Sequence, residues 1–321
     1  MTNRNSTLTR FLTAPAVGPL LALIVLSIFF ATQNDRFLTG RNLSLVVQQV
    51  MVVGTLAIGQ TIIILTRGID LSNGLIMALG SVLMTKLAVS SGMPPLLAIL
   101  LGIGVTVGFG LVNGLLVTRL ELPPFIVTLG TLNIAFALTR IYTTSTVVGI
   151  PESQLFWGDT FAFLGTRITY GSVLMILMYI VVWYVLSYTP VGRHIYAIGD
   201  NPEAARLTGI ATQRVLIGVY AAAGFFYGIA GLLLVGRTGV GDPQAGQDAN
   251  LESITAVVIG GTSLFGGRGT ILGTLVGALI VGVLRNGLQL MGVQSIYQVL
   301  FTGLLVIIAV SIDQLSRRGR S

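Results

Sequence analysis

Ten apolar runs dominate this chain, and most are long enough to cross a bilayer. About 20 apolar residues in a helix span ~30 Å of hydrocarbon. At that depth no water can satisfy backbone N–H and C=O groups, so each run must close its hydrogen bonds internally. The runs lie at 16–32, 43–66, 71–89, 95–118, 123–144, 169–188, 214–236, 253–265, 270–290 and 296–312. They predict an all-α, polytopic integral membrane protein of about ten transmembrane helices, in one transmembrane domain over residues 1–321. The eighth run is too short to cross as an ideal helix and is flanked by glycine, which points to a partial or broken span. Arg4 and Arg10 precede the first run, but no small-residue cleavage pattern follows it, so it reads as an uncleaved anchor.

Charge sets the orientation. Arg4, Arg10, Arg67, Arg119, Arg193, Arg206, Arg214, Arg268, Arg317, Arg318 and Arg320 fall on one side of the predicted spans. Arg36, Arg41, Arg140, Arg167 and Arg237 fall on the other, and Lys86 and Arg285 lie within spans near that second side. Eleven against five places both termini in the cytoplasm. The scattered arginines form no basic face for nucleic acid.

Several chemistries are excluded. The chain has no cysteine and one histidine, His194, so no metal cluster or thiol nucleophile is expected. Its only lysine, Lys86, follows "LGSVLMT" and not a glycine-rich phosphate loop, so ATP hydrolysis would need another chain. No enzyme constellation and no cofactor motif stands out.

The largest predicted cytoplasmic loop, about 189–213, holds "GDNPEAARLTGI". Asp200 and Asn201 suit a helix start, Pro202 suits the first helical position, and Gly209 suits a left-handed stop. The predicted helix, Pro202–Thr208, is about two turns, which is marginal in isolation. Glu203 and Arg206 share a face. Ala204 and Ala205 are small enough for close insertion into a groove.

Within the spans, Asp70 and Glu252 are the carboxylates nearest membrane depth. Asp70 in "LTRGIDLSNG" reads either as the break of a helix lining a pathway or as a cap in a tight turn, with Arg67 in reach. Amides are more numerous: Gln48, Gln49, Gln60, Asn113, Asn133, Asn286 and Gln289. They can bind a neutral hydroxylated solute or join helices. Asp70, Gln60, Asn113, Asn133 and Asn286 are the candidate pathway or gate residues. The scarcity of intramembrane carboxylates argues against an ion-coupled secondary carrier, the alternative reading. Asn113-Gly114 and Asn286-Gly287 lie in similar stretches five spans apart, as an inverted repeat would place them. The segment 145–168, with Trp157, Phe161 and Phe163, reads as interfacial or as a docking surface.

Three stretches together, "LTRGIDLSNG" (65–74), "GRHIYAIGDNPEAARLTGI" (192–210) and "ITAVVIGGTSLFGGRGTILGTLVGALIVGVLRNGL" (254–288), closely resemble the ribose-type permeases of bacterial ABC sugar importers. The resemblance runs from about Asn42 to Asp313. It implies a multi-pass inner-membrane subunit forming the path for a monosaccharide such as ribose, xylose, galactose or fructose. It also implies a second permease chain, identical or paralogous, a cytoplasmic ABC ATPase and an extracytoplasmic sugar-binding protein. Membrane lipid would surround the bundle. The loop residues Asp200, Asn201, Pro202, Glu203, Ala204, Ala205, Arg206 and Gly209 would then be the coupling site for the ATPase.

Overall fold

A computed structural model describes residues 17–163 and 165–318; Arg4, Arg10 and Arg320 lie outside them. In chain order the helices begin with α1 (Val17–Gln33), α2 (Gly40–Leu65), α3 (Asn73–Ser90), α4 (Pro95–Arg119) and α5 (Pro124–Tyr142). The short α6 (Glu152–Leu155) follows, then α7 (Tyr170–Tyr188), α8 (Pro190–Asp200), α9 (Pro202–Leu207) and α10 (Thr212–Thr238). The chain continues with α11 (Ala249–Ile259), α12 (Ile271–Leu290) and α13 (Ser295–Arg318). Each of the ten apolar runs falls on one helix. Seven of these helices, α2, α3, α4, α5, α7, α10 and α12, are long and apolar enough to cross a membrane. The remaining three, α1, α11 and α13, carry shorter apolar stretches. The eighth run is indeed truncated: α11 has 11 residues, about 16 Å of rise, and gives way to the glycine-rich segment 260–270.

Two features depart from the sequence reading. The segment 145–168 folds into α6, a 3₁₀ turn and an antiparallel hairpin of β1 (Thr160–Phe163) with β2 (Thr166–Thr169), so the bundle is not purely helical. Phe156 stacks on Tyr170 at 4.6 Å, fastening this segment to the start of α7. The loop 189–213 contains an additional helix, α8. Thr189 caps it by accepting from the Gly192 N–H, and Pro190 takes its first position. Its apolar face buries Ile195 and Ile198 while Arg193 stays exposed.

α2 and α10 pack against each other at the centre, and nearly all of α2 from Val50 to Leu65 is buried. Lipid tails are as apolar as leucine, so tight packing and internal hydrogen bonds must hold the bundle rather than escape from water. The neighbour relations repeat five spans apart. α3 packs on α4, α5 and α10; α11 packs on α12, α13 and α2. The starts of α3 and α11 meet, so the two units face one another in the manner of an inverted repeat. Large apolar side chains on the outer helices, such as Val25, Leu96 and Ile141, are exposed, as a lipid-facing surface requires.

Candidate functional site

The helical path breaks twice at matching places. After α2, Arg67 takes a left-handed φ of 66° and the chain stays non-helical until Asn73. After α10, Gly239 does the same at φ 72°, and helix resumes at Ala249. Irregular backbone inside a bundle must be satisfied by protein or a cavity, and here polar side chains at the starts of α3 and α11 join the two regions. Asn250 Nδ2 donates to the Leu71 carbonyl (3.2 Å), and Asn73 Nδ2 donates to Ser253 Oγ (2.7 Å) and Gln60 Oε1 (3.1 Å). Gly74 and Gly246 are in backbone contact: a Cβ on Gly74 would lie 2.2 Å from the Gly246 carbonyl oxygen.

Asp70 anchors this node. Its Oδ1 accepts from the Ser72 N–H (2.7 Å) and the Ser72 hydroxyl, and its Oδ2 accepts from Tyr227 OH (3.0 Å). Asn113 Nδ2 donates to Ser72 Oγ at 3.3 Å. Asp70, Gln60, Asn73 and Asn113 are all buried. Three of the candidate pathway residues, Gln60, Asp70 and Asn113, thus gather in one place. Asn286 does not join them; it exchanges two hydrogen bonds with Asn42, at 2.8 and 3.0 Å. Asn133 is exposed and donates to Leu129 on its own helix (2.9 Å). Ser72, Asn73, Tyr227 and Ser253 were not singled out in the sequence. For the first two the signal was present: "LSNG" restarts a helix directly after an acidic break.

A second junction collects all three sequence motifs. Arg67 does not pair with Asp70. Its Nε donates to the Gly199 carbonyl (2.7 Å), and a terminal N–H reaches the carbonyl of Asp200. The Gly267 N–H donates to the Leu65 carbonyl (3.0 Å), and Tyr196 OH donates to Gly269 (2.9 Å). Gly199 sits where these segments touch, and a Cβ there would lie 1.7 Å from the Leu65 oxygen.

From this junction α9 projects. Asn201, and not Asp200, supplies the cap, accepting from the Ala204 N–H at 3.0 Å. Gly209 turns left-handed at φ 88°, and the Ile210 N–H closes onto the Ala205 carbonyl (3.1 Å). Glu203 and Arg206 pair at 3.0 Å, both well exposed. Ala205 points the other way from that expected of a residue inserting into a partner, being buried in its own chain. Ala204 is exposed, and so is Leu207, at 77%. Leu207 was not among the sequence candidates; an apolar residue in a polar two-turn helix was the available signal.

A cavity of about 340 Å³ opens between α2, α10, the 239–248 segment, α11 and α12. Arg285 Nη1 and Glu252 Oε1 form an ion pair on its wall at 2.6 Å. In the sequence Arg237 and Arg285 serve only as markers of orientation. Both line this space, with Asp242, Asp248, Glu252 and Gln49.

Residues 42–310 match the family described as branched-chain amino acid transport system, permease component. The chain belongs to that permease family. The matched range holds the buried node, the motif junction and the cavity, and of the ten helices that carry the apolar runs only α1 lies wholly before it. The permease is 46% identical to the fructose import permease protein of Rhizobium meliloti over 95% of its own length and 87% of the relative's. It is 42% identical to the ribose import permease protein of Bacillus subtilis (strain 168), over 93% of its length and 92% of the relative's. It is 33% identical to the galactose/methyl galactoside import permease protein of Escherichia coli (strain K12), over 93% and 94%. With its seven span-length apolar helices it is a multi-pass membrane protein.

Proposed function

We propose that this permease is the membrane-spanning subunit of an ATP-driven monosaccharide importer. Supporting this is its similarity, along more than nine-tenths of its length, to sugar import permeases. A cytoplasmic ABC ATPase supplies the energy, because the chain has no phosphate loop of its own. A soluble sugar-binding protein delivers the solute to the opposite face, and a second permease chain completes the complex. Both termini and the α8–α9 segment are cytoplasmic, and α9 is the part the ATPase holds. Reconstitution with the ATPase and binding protein should give sugar uptake that survives an uncoupler while ATP is maintained. Uptake by the permease alone that collapses with the ion gradient would overturn the reading.

Leu207 gives a sharper check. Exposed substitutions usually move stability by no more than ~0.5 kcal/mol, so Leu207→Asp should leave insertion and melting unchanged. If α9 docks on the ATPase, the same change puts a charge into an apolar contact. Uptake and sugar-stimulated ATP hydrolysis should then fall at least tenfold. Normal activity in this variant would place the ATPase contact elsewhere. Ala205→Trp is the poorer probe, since it would first collide with its own chain.

Orientation is testable because the chain has no native cysteine. A cysteine replacing Asp242 should react with an impermeant thiol reagent in intact cells. One replacing Asp200 should react only after the inner face is opened. The opposite pattern would invert the topology.

A further inference from the structure

The cavity between α2, α3, α10, α11 and α12 draws all its described lining from this chain. Its volume, about 340 Å³, sits at the lower end of the roughly 300–1,000 Å³ of small-molecule sites. It has room for a small solute and not for a peptide. Its wall offers hydrogen-bonding groups of both kinds. Arg237 and Arg285 donate; Asp242, Asp248 and Glu252 accept; three negative charges against two positive leave one net negative. Glu252 is buried against Arg285. Gln49 also lines the space. Its amide N–H donates to Gln289 (3.1 Å), but its buried Oε1 has no hydrogen-bond partner among the described residues. No aromatic ring is among the described lining residues, so a sugar here would be held by hydrogen bonds without stacking. A transport site must bind well enough to admit its solute and weakly enough to release it.

We propose that each permease chain carries its own low-affinity site for a neutral polyhydroxylated solute in this cavity. Gln49, Glu252 and Arg285 contact its hydroxyls, and the net negative charge turns anionic sugars away. The inference rests on the importer reading and deepens it by placing the solute and fixing its charge class.

Ala245→Cys puts the only thiol of the chain on the cavity wall. In the assembled importer in lipid nanodiscs, N-ethylmaleimide labelling of this thiol is timed with D-ribose, D-fructose, D-galactose or D-galacturonate at tens of millimolar. At least one neutral sugar should slow labelling threefold or more, and galacturonate should not. Glu252→Gln should weaken protection by the neutral sugar and allow protection by galacturonate. Gln49→Leu, which leaves the ion pair intact, should weaken protection if Glu252→Gln fails to fold. No slowing by any neutral sugar, or equal slowing by galacturonate, overturns the proposal. Uptake by the wild-type complex is measured in parallel. Uptake without protection defeats this site and leaves the importer reading standing. Protection without ATP-driven uptake defeats the importer reading and leaves the site.

Discussion

Gly199→Ala should lower the melting temperature of the purified permease by several degrees and abolish transport. The added Cβ would sit 1.7 Å from the Leu65 oxygen and 2.5 Å from the Gly267 nitrogen. Both obstacles are backbone, so no rotamer change relieves them. Overpacking by a single group typically costs ~1–3 kcal/mol, and occasionally more. Here it would also push apart Gly267 N–H and the Leu65 carbonyl, whose hydrogen bond joins two of the three motifs. Gly218→Ala is the matched control. A Cβ at Gly218 meets nothing within 4 Å, and alanine in a helix is favoured over glycine by ~0.5–1 kcal/mol. Gly218→Ala should therefore melt at the same temperature or slightly higher. Equal melting and equal uptake in the two variants would show that the segments around Gly199 do not close up in this way.

Asp70→Ala should be the most damaging change in the buried node. It strands three buried donors at once: the Ser72 N–H, the Ser72 hydroxyl and Tyr227 OH. Each unsatisfied buried group costs ~1–3 kcal/mol, and little water is available at this depth to replace the lost acceptor. Little folded protein should be recovered in detergent. Tyr227→Phe removes one of these hydrogen bonds together with its donor and should cost only ~1 kcal/mol. Asp70→Asn keeps one acceptor oxygen and should fall between the two. The ordering of the three melting temperatures checks the network. If Asp70→Asn folds but transports at least tenfold more slowly, the node takes part in transport as well as in packing. A melting temperature for Asp70→Ala equal to wild type would dismiss the network.

The helices were legible in the sequence because hydrocarbon leaves a long apolar run only one way to satisfy its backbone. Even the defect at 253–265 was visible as missing length. What the runs cannot give is direction around the axis. Asn113 and Asn286 sit in similar stretches, yet Asn113 meets Ser72 in the node while Asn286 pairs with Asn42. In a helix apolar all round, no periodicity marks which face turns inward, so a pathway amide and a joining amide look alike. The same ambiguity put Asn133 beside Gln60 as a candidate, although it lies on an exposed face. α8 was missed for another reason. Reading 189–213 as a connecting loop hid the spacing of Ile195 and Ile198, which anchor an amphipathic helix. In the sequence Arg237 and Arg285 mark only orientation; that both line one cavity, where Arg285 pairs with Glu252, depends on helices distant in sequence.

The junction around Gly199 has a mechanical consequence. It ties the end of α2, the root of α9 and the 260–270 segment together through backbone atoms, with Arg67 as a side-chain strut. From Leu65 the chain runs through seven residues, 66–72, to the start of α3; from Gly260 it runs back along α11. Both lead to the place where Gly74 and Gly246 touch. A load applied to α9 would therefore reach the starts of α3 and α11 along two routes. Side-chain linkages absorb small displacements by changing rotamer, whereas a close-packed interior is stiff and transmits strain. A displacement at the surface would therefore be passed toward the central break in both halves of the molecule.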